Sequence, residues 1–150
     1  MAHAEESITI ESPAGAVFDF VLDGTKNPLW RPAVLDVEAV QGRSSGIGAV
    51  YKQGVKGPGG RRIDADYEIV ECKPNEWIKF QVIAGPARPT GTYRFEPVEG
   101  AGKDGTRLTF TLHYEPKGLA RLMDPMITRT MQSEVAMLAN LKGYLESGQS

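Results

Sequence analysis

Apolar and polar positions change their period twice along the 150-residue chain. Near the start, apolar residues alternate with polar ones over residues 7–11, which is typical of a short strand. Ser12 and Pro13 then predict the start of a helix, because a hydroxyl caps free N–H groups and proline suits the first helical position. Helical spacing follows, and a second short helix or turn is expected in the connection 26–32.

From residue 34 to residue 114 the period is two, and breaks rich in Gly, Pro or Asn predict six strands of an antiparallel meander. We place them at residues 34–40, 48–55, 61–72, 77–84, 90–98 and 106–114. In the third strand, Ile63, Ala65, Tyr67 and Ile69 oppose Arg62, Asp64, Asp66 and Glu68. In the sixth, Leu108, Phe110, Leu112 and Tyr114 oppose Arg107, Thr109, Thr111 and His113. One face of the sheet is therefore expected to be solvated, and the other needs an apolar cover.

The C-terminal segment supplies that cover as a long amphipathic helix. Apolar side chains recur at steps of three and four from Leu119 to Leu145. The other face carries mainly Arg121, Arg129, Glu134, Lys142 and Glu146. Residues 125–146 would span about 33 Å as one helix. Asp124 and Pro125 either begin this helix, or Pro125 kinks a longer one.

The order of strand, two helical pieces, six strands and long helix resembles the START-like (SRPBCC) superfamily, in particular its polyketide cyclase/dehydrase-like branch. The motifs that carry the resemblance are Ile8-Thr9-Ile10, Ser12-Pro13, Val17-Phe18-Asp19-Phe20, Asn27-Pro28-Leu29-Trp30, Tyr93-Arg94-Phe95-Glu96-Pro97, Gly105-Thr106-Arg107-Leu108-Thr109 and the segment 138–146. The resemblance covers nearly the whole chain. It implies an α+β helix-grip fold, in which a curved seven-stranded antiparallel sheet wraps around the long C-terminal helix and two short helices follow the first strand. We expect one such domain over residues 1–150, with a core at about 5–147.

The resemblance also implies a cavity between the sheet and the last helix. Members of the superfamily bind lipids, sterols, polyketides, isoprenoids or hormones, and some carry out cyclisation, dehydration or hydrolysis in the cavity. For this chain we expect binding or carriage of a hydrophobic small molecule such as a lipid, polyketide or isoprenoid. The alternative is a cofactor-independent cyclase or dehydratase that acts on a polyketide-like substrate in the same cavity. The catalytic residues of such an enzyme stay unknown from the sequence.

The candidate ligand-binding residues are aromatic or flexible apolar side chains expected on the inner sheet face, the roof or the last helix. They are Trp30, Tyr51, Tyr67, Phe80, Tyr93, Phe110, Met123, Met126 and Ile127. Each has a second interpretation. The indole of Trp30 could plug the core instead of stacking on a ligand, and the tyrosine hydroxyls could reach water or backbone. Methionine adapts to an irregular ligand, but it also packs an ordinary core.

Composition narrows the classes of partner. The net charge is −2 and no Lys/Arg run occurs, so nucleic acid is not expected as a partner. No apolar run approaches the about 20 residues that cross a bilayer, and no secretory signal is recognised. Cys72 is the only cysteine, so no intrachain disulfide forms and a cytoplasmic location is expected. Whether the protein is a monomer or a dimer stays open.

Side chains with metal-ligand or nucleophile spacing are not found. His113 is expected to be the only histidine in the folded part, with His3 in a frayed terminus, and one histidine cannot build a zinc site. No cofactor and no metal are therefore expected. The glycine-rich segment 56–62 lacks the Walker spacing, and Cys72 has no recognisable acid or base partner. Solvated positions are expected for His113 and for the three carboxylates Asp64, Asp66 and Glu68.

Overall fold

The structure is a computed structural model that describes residues 2–40, 46–85, 88–98, 105–114 and 124–147, without the side chains of Ala2, Pro58 and residues 124–127. The elements, in chain order, are β1 (Ala2–Ile10), α1 (Ala14–Leu22), a 3₁₀ helix (Gly24–Leu29), β2 (Val34–Ala39), β3 (Val50–Lys56), a 3₁₀ turn (Pro58–Gly60), β4 (Arg62–Asp64), β5 (Tyr67–Lys73), β6 (Trp77–Val82), β7 (Thr90–Val98), β8 (Gly105–Tyr114), α2 (Asp124–Val135) and α3 (Leu138–Glu146).

Seven strands form one continuous sheet in the order β1-β8-β7-β6-β5-β3-β2, and the three-residue β4 pairs with β3 beside this path. Every pairing is antiparallel, and the sheet curls into a half-barrel. The helices α2 and α3 pack against β1, and α2 also contacts β8. The predicted α+β helix-grip fold is confirmed.

Two predicted strands differ from the observed ones by more than a shift of one or two residues at an end. β1 begins at Ala2 rather than at residue 7, because the long β8 pairs with it as far as Tyr114. His3 therefore lies in a strand, and its expected place in a frayed terminus was wrong. The predicted strand 61–72 is divided into β4 and β5, where the Asp66 carboxylate accepts a hydrogen bond from the Gln53 N–H at 3.1 Å. A side chain that accepts a hydrogen bond from a backbone N–H of the sheet competes with strand pairing at that point.

The first helical region follows the prediction in outline. α1 begins at Ala14, with Pro13 in the N-cap position, so Pro13 is not the first helical residue. Ser12 does not cap the helix, and its carbonyl instead accepts a hydrogen bond from Thr106 Oγ1 at 2.7 Å. The expected second short helix is the 3₁₀ helix, whose first turn is capped by the Asp23 carboxylate at 3.1 Å from the Thr25 N–H.

The C-terminal helix is not the single rod that the sequence predicts. α2 and α3 are separated at Ala136 and Met137, where the Met137 N–H bonds the Glu134 carbonyl at 3.1 Å in a three-residue step. This step tightens the turn to 3₁₀ geometry and divides the helix without a proline. Whether Pro125 begins or kinks the helix depends on residues 115–123. These residues, which include Leu119 and Arg121, lie outside the described residues.

The core lies between the inner sheet face and the helices. Its buried side chains come from β1, from α1, from the inner face of the sheet and from the two C-terminal helices. The one-sided alternation predicted for the last strand is confirmed, since Leu108 and Phe110 are fully buried while Arg107 is exposed. On α2 and α3 the buried residues are Met131, Val135, Leu138, Leu141 and Leu145. The inner face of the sheet and the two C-terminal helices therefore form opposite sides of the core.

Candidate ligand-binding site

A row of aromatic rings crosses the inner face of the sheet. Five neighbouring strands each contribute one ring, and the turn after the 3₁₀ helix contributes a sixth. We call this group the aromatic cluster: Tyr51 on β3, Tyr67 on β5, Phe80 on β6, Tyr93 on β7, Phe110 on β8, and Trp30. All six side chains are buried and belong to the hydrophobic core. The alternation of the strands places these residues on one face, since every second side chain points the same way.

Strand register sets the spacing of the rings. Tyr51 lies directly opposite Tyr67, and the two rings stack at 5.3 Å between centroids. Tyr93 lies directly opposite Phe110, and these rings stack at 4.4 Å. Phe80 joins the two stacked pairs, at 5.3 Å from the Tyr67 ring and 5.8 Å from the Tyr93 ring. The result is a continuous aromatic wall along the inner face of the sheet.

One glycine makes room for the centre of this wall. Phe80 lies opposite Gly91 of β7, and a Cβ at Gly91 would come within 2.1 Å of Phe80 Cζ. The ring therefore occupies the space that a side chain at this position would need.

Trp30 closes one end of the cluster. Its ring lies 6.4 Å from the rings of both Tyr93 and Phe110, in edge contacts, and only 1% of the residue is exposed. Its backbone is fixed by the Asn140 side chain, which donates to the Trp30 carbonyl at 3.1 Å. The tryptophan is packed as part of the core wall.

A buried amide network lies at the Tyr67 end. The Asn27 side-chain NH₂ donates to the Tyr67 hydroxyl and to Gln53 Oε1, both at 2.9 Å. Asn27 and Gln53 are themselves buried. The backbone at Gly24 lies close to the Tyr67 hydroxyl, because a Cβ at Gly24 would be 2.2 Å from that oxygen. The network fixes the position of one phenol inside an apolar wall.

A buried ion pair lies at the Tyr93 end. Arg31 Nε and Nη2 both donate to Glu134 Oε2, at 3.0 and 2.8 Å, and the side chains are 10% and 16% exposed. Arg31 also lies close enough to Tyr93 to act on the pKa of its phenol, and its guanidinium carbon lies 5.8 Å from the Trp30 ring. The pair connects the turn before β2 to α2 across the aromatic cluster.

Burial shifts the proton affinities of these groups. Burial raises the pKa of Tyr93 to about 12, although the Arg31 cation opposes the shift. Burial, together with Tyr93, also raises the pKa of Tyr67 far above its ordinary value, against the hydrogen bond from Asn27. Burial by itself lowers the pKa of Arg31, but the Glu134 carboxylate and Tyr93 outweigh this effect and raise it. At neutral pH the site therefore presents neutral phenols beside a permanent cation.

The structure brings together six of the nine candidate residues named from the sequence. Met123 lies outside the described residues, and the side chains of Met126 and Ile127 on α2 are not described. Sequence reasoning missed the polar partners of the cluster, which are Asn27, Gln53 and Glu134. Gln53 shares the strand face of Tyr51, and this period-two relation was the available signal. Glu134 was assigned to the polar helix face, which is wrong because it is half-buried against Arg31.

Polar groups also lie outside the aromatic cluster in the described part of the chain. His3 lies opposite His113 in the β1–β8 pair, with ring centroids 6.2 Å apart. Across the part of the chain that is described, no three His, Cys, Asp or Glu side chains group closely enough to hold a metal ion. A groove of about 500 Å³ on the outer face of β2, β3 and β4 is lined mainly by charged side chains, and Arg62 bridges Asp36 and Asp64 in it. No described helix has the length and apolar character needed to cross a membrane.

Comparisons with known proteins agree with this architecture. Among solved structures, TTHA0849 from Thermus thermophilus is 22% identical, with 99% of each chain covered and a TM-score of 0.79. A START superfamily protein from Mycobacterium smegmatis is 18% identical, with 98% of this chain and 99% of that chain covered and a TM-score of 0.79. The Zhui aromatase/cyclase from Streptomyces sp. R1128 is 20% identical, with coverages of 96% and 93% and a TM-score of 0.70.

Sequence comparison gives the family. A search of curated protein sequences finds no match. A family model described as polyketide cyclase / dehydrase and lipid transport matches residues 1–146. The chain therefore belongs to the polyketide cyclase/dehydrase and lipid transport family and has the START-like fold.

Proposed function

We propose that this protein binds and carries a hydrophobic small molecule between the inner sheet face and the C-terminal helices, in contact with the aromatic cluster. The observation that supports it most is the continuous row of rings from five adjacent strands, in a chain whose family includes lipid transport. Such a wall offers a ligand a large apolar contact area at a small cost in side-chain entropy. Met123, Met126 and Ile127 belong to this proposal as the helix side of the site.

A second candidate function is cofactor-independent cyclisation or dehydration of a polyketide-like substrate in the same site. One observation favours it, which is that Tyr67 and Tyr93 are neutral buried phenols with Arg31 nearby. A neutral buried phenol beside a cation can donate a hydrogen bond to a developing oxyanion. Full loss of turnover in Tyr67→Phe with ligand binding intact would favour the enzyme over the carrier.

The proposal also covers the location and the partners. We propose that the protein acts in the cytoplasm, with its half-buried Cys72 as a free thiol, and that it carries its ligand in solution. Nucleic acid is not among the proposed partners, since the net charge of −2 offers no field that attracts phosphates. The proposed partner is the hydrophobic small molecule.

Native mass spectrometry tests the proposal. The protein is purified under native conditions, and half of the sample is extracted with organic solvent and refolded. In the unextracted half we expect a discrete added mass that corresponds to a small apolar molecule. The extracted half should lack this mass and should regain it on incubation with the extract. No added mass in either half, and no uptake from the extract, would count against a carrier.

A further inference from the structure

Trp30 carries an unusual polar atom. Among the residues that the structure describes, its indole Nε1 is the only buried side-chain nitrogen or oxygen without a hydrogen-bond partner. Buried indole N–H groups ordinarily find an acceptor, because an unpaired buried donor is costly. This atom therefore needs an explanation that the hydrogen bonds of the described residues do not supply.

Among the described residues, none accepts a hydrogen bond from the indole N–H. Its ring contacts with Tyr93 and Phe110, at 6.4 Å between centroids, are edge contacts and include no hydrogen bond. The guanidinium of Arg31, at 5.8 Å from the ring, is itself a donor and is committed to Glu134. The indole is held by close packing, since only 1% of the residue is exposed, and its backbone is held by Asn140 and by the Asn27 carbonyl. The N–H group is therefore buried and unpaired in a side chain that contacts the rings of Tyr93 and Phe110.

We propose that the Trp30 indole N–H donates a hydrogen bond to a carbonyl oxygen of the bound molecule. This inference rests on the proposed function, because it concerns the same site. An indole N–H is a donor only, so its partner must be an acceptor. The nearby Arg31 cation favours an oxygen that carries partial negative charge. A saturated hydrocarbon chain would leave the N–H unpaired.

Two probes of nearly equal shape separate the hydrogen bond from apolar burial. They are 2-acetylnaphthalene and 2-isopropenylnaphthalene, in which a methylene group replaces the carbonyl oxygen. The chain has two tryptophans, and Trp77 is a partly exposed residue at the start of β6. The Trp77→Phe variant, labelled with ¹⁵N, therefore shows a single indole N–H signal, that of Trp30. Titration of this variant with each probe gives the affinity and the chemical shift of the Trp30 proton together.

We expect the ketone to bind about threefold to tenfold more tightly than the alkene, as one hydrogen bond provides. The ketone alone should move the Trp30 N–H signal downfield and slow its hydrogen exchange. In Trp30→Phe, the preference for the ketone should fall to about onefold. If that variant does not fold, the signal of Trp30 in Trp77→Phe still decides the question.

Failure of the inference and failure of the proposed function look different. If both probes bind equally well in the aromatic cluster and the Trp30 signal does not move downfield, the donor role is wrong while the apolar site stands. If the ketone shifts the signal but binds no more tightly than the alkene, selection for a carbonyl is wrong. If neither probe binds, the proposed site and the inference both fail.

Discussion

At the scale of single residues, the site is defined by which polar atoms are fixed within an apolar wall. Tyr67 accepts a hydrogen bond from Asn27, whereas Tyr93 lies beside the Arg31 cation. Tyr51 differs, because its hydroxyl reaches the Leu22 carbonyl only at 3.4 Å. The three phenols look alike in the sequence, but their surroundings give them different stability and different protonation behaviour.

Replacement of Tyr67 by Phe tests the amide network. The change keeps the ring but leaves one N–H of the buried Asn27 side chain without an acceptor, so we expect a loss of about 1–3 kcal/mol in the free energy of unfolding. Tyr51→Phe is the matched control, and its longer bond predicts a smaller loss. Urea unfolding of both variants measures the difference. Equal losses of unfolding free energy in the two variants would show that the Asn27 contact stabilises the fold no more than the Tyr51 contact does.

Affinity for an apolar ligand should fall at most about tenfold in Tyr67→Phe, as expected for one hydrogen bond.

Alkaline titration tests the burial of Tyr93. Its pKa is about 12 in the folded protein and about 10 in the unfolded chain. Because the folded pKa is the higher one, stability is fully present below about pH 10 and falls as the pH rises toward 12. The unfolding free energy of wild type should therefore decrease more steeply than that of Tyr93→Phe over this range. Parallel curves for the two proteins would mean that the phenol ionises without hindrance in the fold.

At the scale of elements, the Arg31–Glu134 pair joins two segments that are distant in the chain. Arg31 lies in the turn before β2, and Glu134 lies in the last turn of α2, just before the break at Ala136 and Met137. Asn140 on α3 holds the same turn through the Trp30 carbonyl. Both C-terminal helices thus attach to the segment that closes the aromatic cluster. The sequence did not reveal this attachment, because helical periodicity alone assigned Glu134 to solvent.

A double-mutant cycle measures the coupling of these segments. Arg31→Met should lower the unfolding free energy by about 3–5 kcal/mol, since it leaves Glu134 charged and half-buried without its partner. The double variant Arg31→Met with Glu134→Leu should cost clearly less than the sum of the single changes. Lys73→Met serves as a control, because the Lys73–Glu76 pair is about half exposed and contributes about 0–1 kcal/mol. Additive losses in the cycle would mean that the buried pair is not coupled.

At the scale of the whole molecule, period and turn composition predicted the order of elements well. The strands β7 and β8 lie within one residue of their expected bounds, because clear breaks of glycine and proline flank a regular alternation. Local patterns could not predict the break between α2 and α3, because it contains no proline or glycine. They also could not predict that the strand expected over residues 61–72 is divided at Asp66. Both depend on hydrogen bonds formed only in the folded chain.

The same limit applies to the candidate site. The rings of the aromatic cluster could be found because inner-face aromatic residues follow from the strand period. Their polar partners could not, since Asn27 and Arg31 lie in a turn region whose geometry no periodicity specifies. The residues that give the apolar wall its chemistry are therefore those that only the three-dimensional arrangement identifies.

The most direct test of an apolar site on the inner sheet face is NMR mapping of a bound probe. Protein labelled in its aromatic and methyl groups is titrated with 2-isopropenylnaphthalene to saturation. We predict that the ring signals of Tyr67, Phe80 and Tyr93 shift together with one dissociation constant. Saturable shifts confined to exposed apolar residues such as Leu29 and Leu35, with the cluster rings unchanged, would contradict the proposed site.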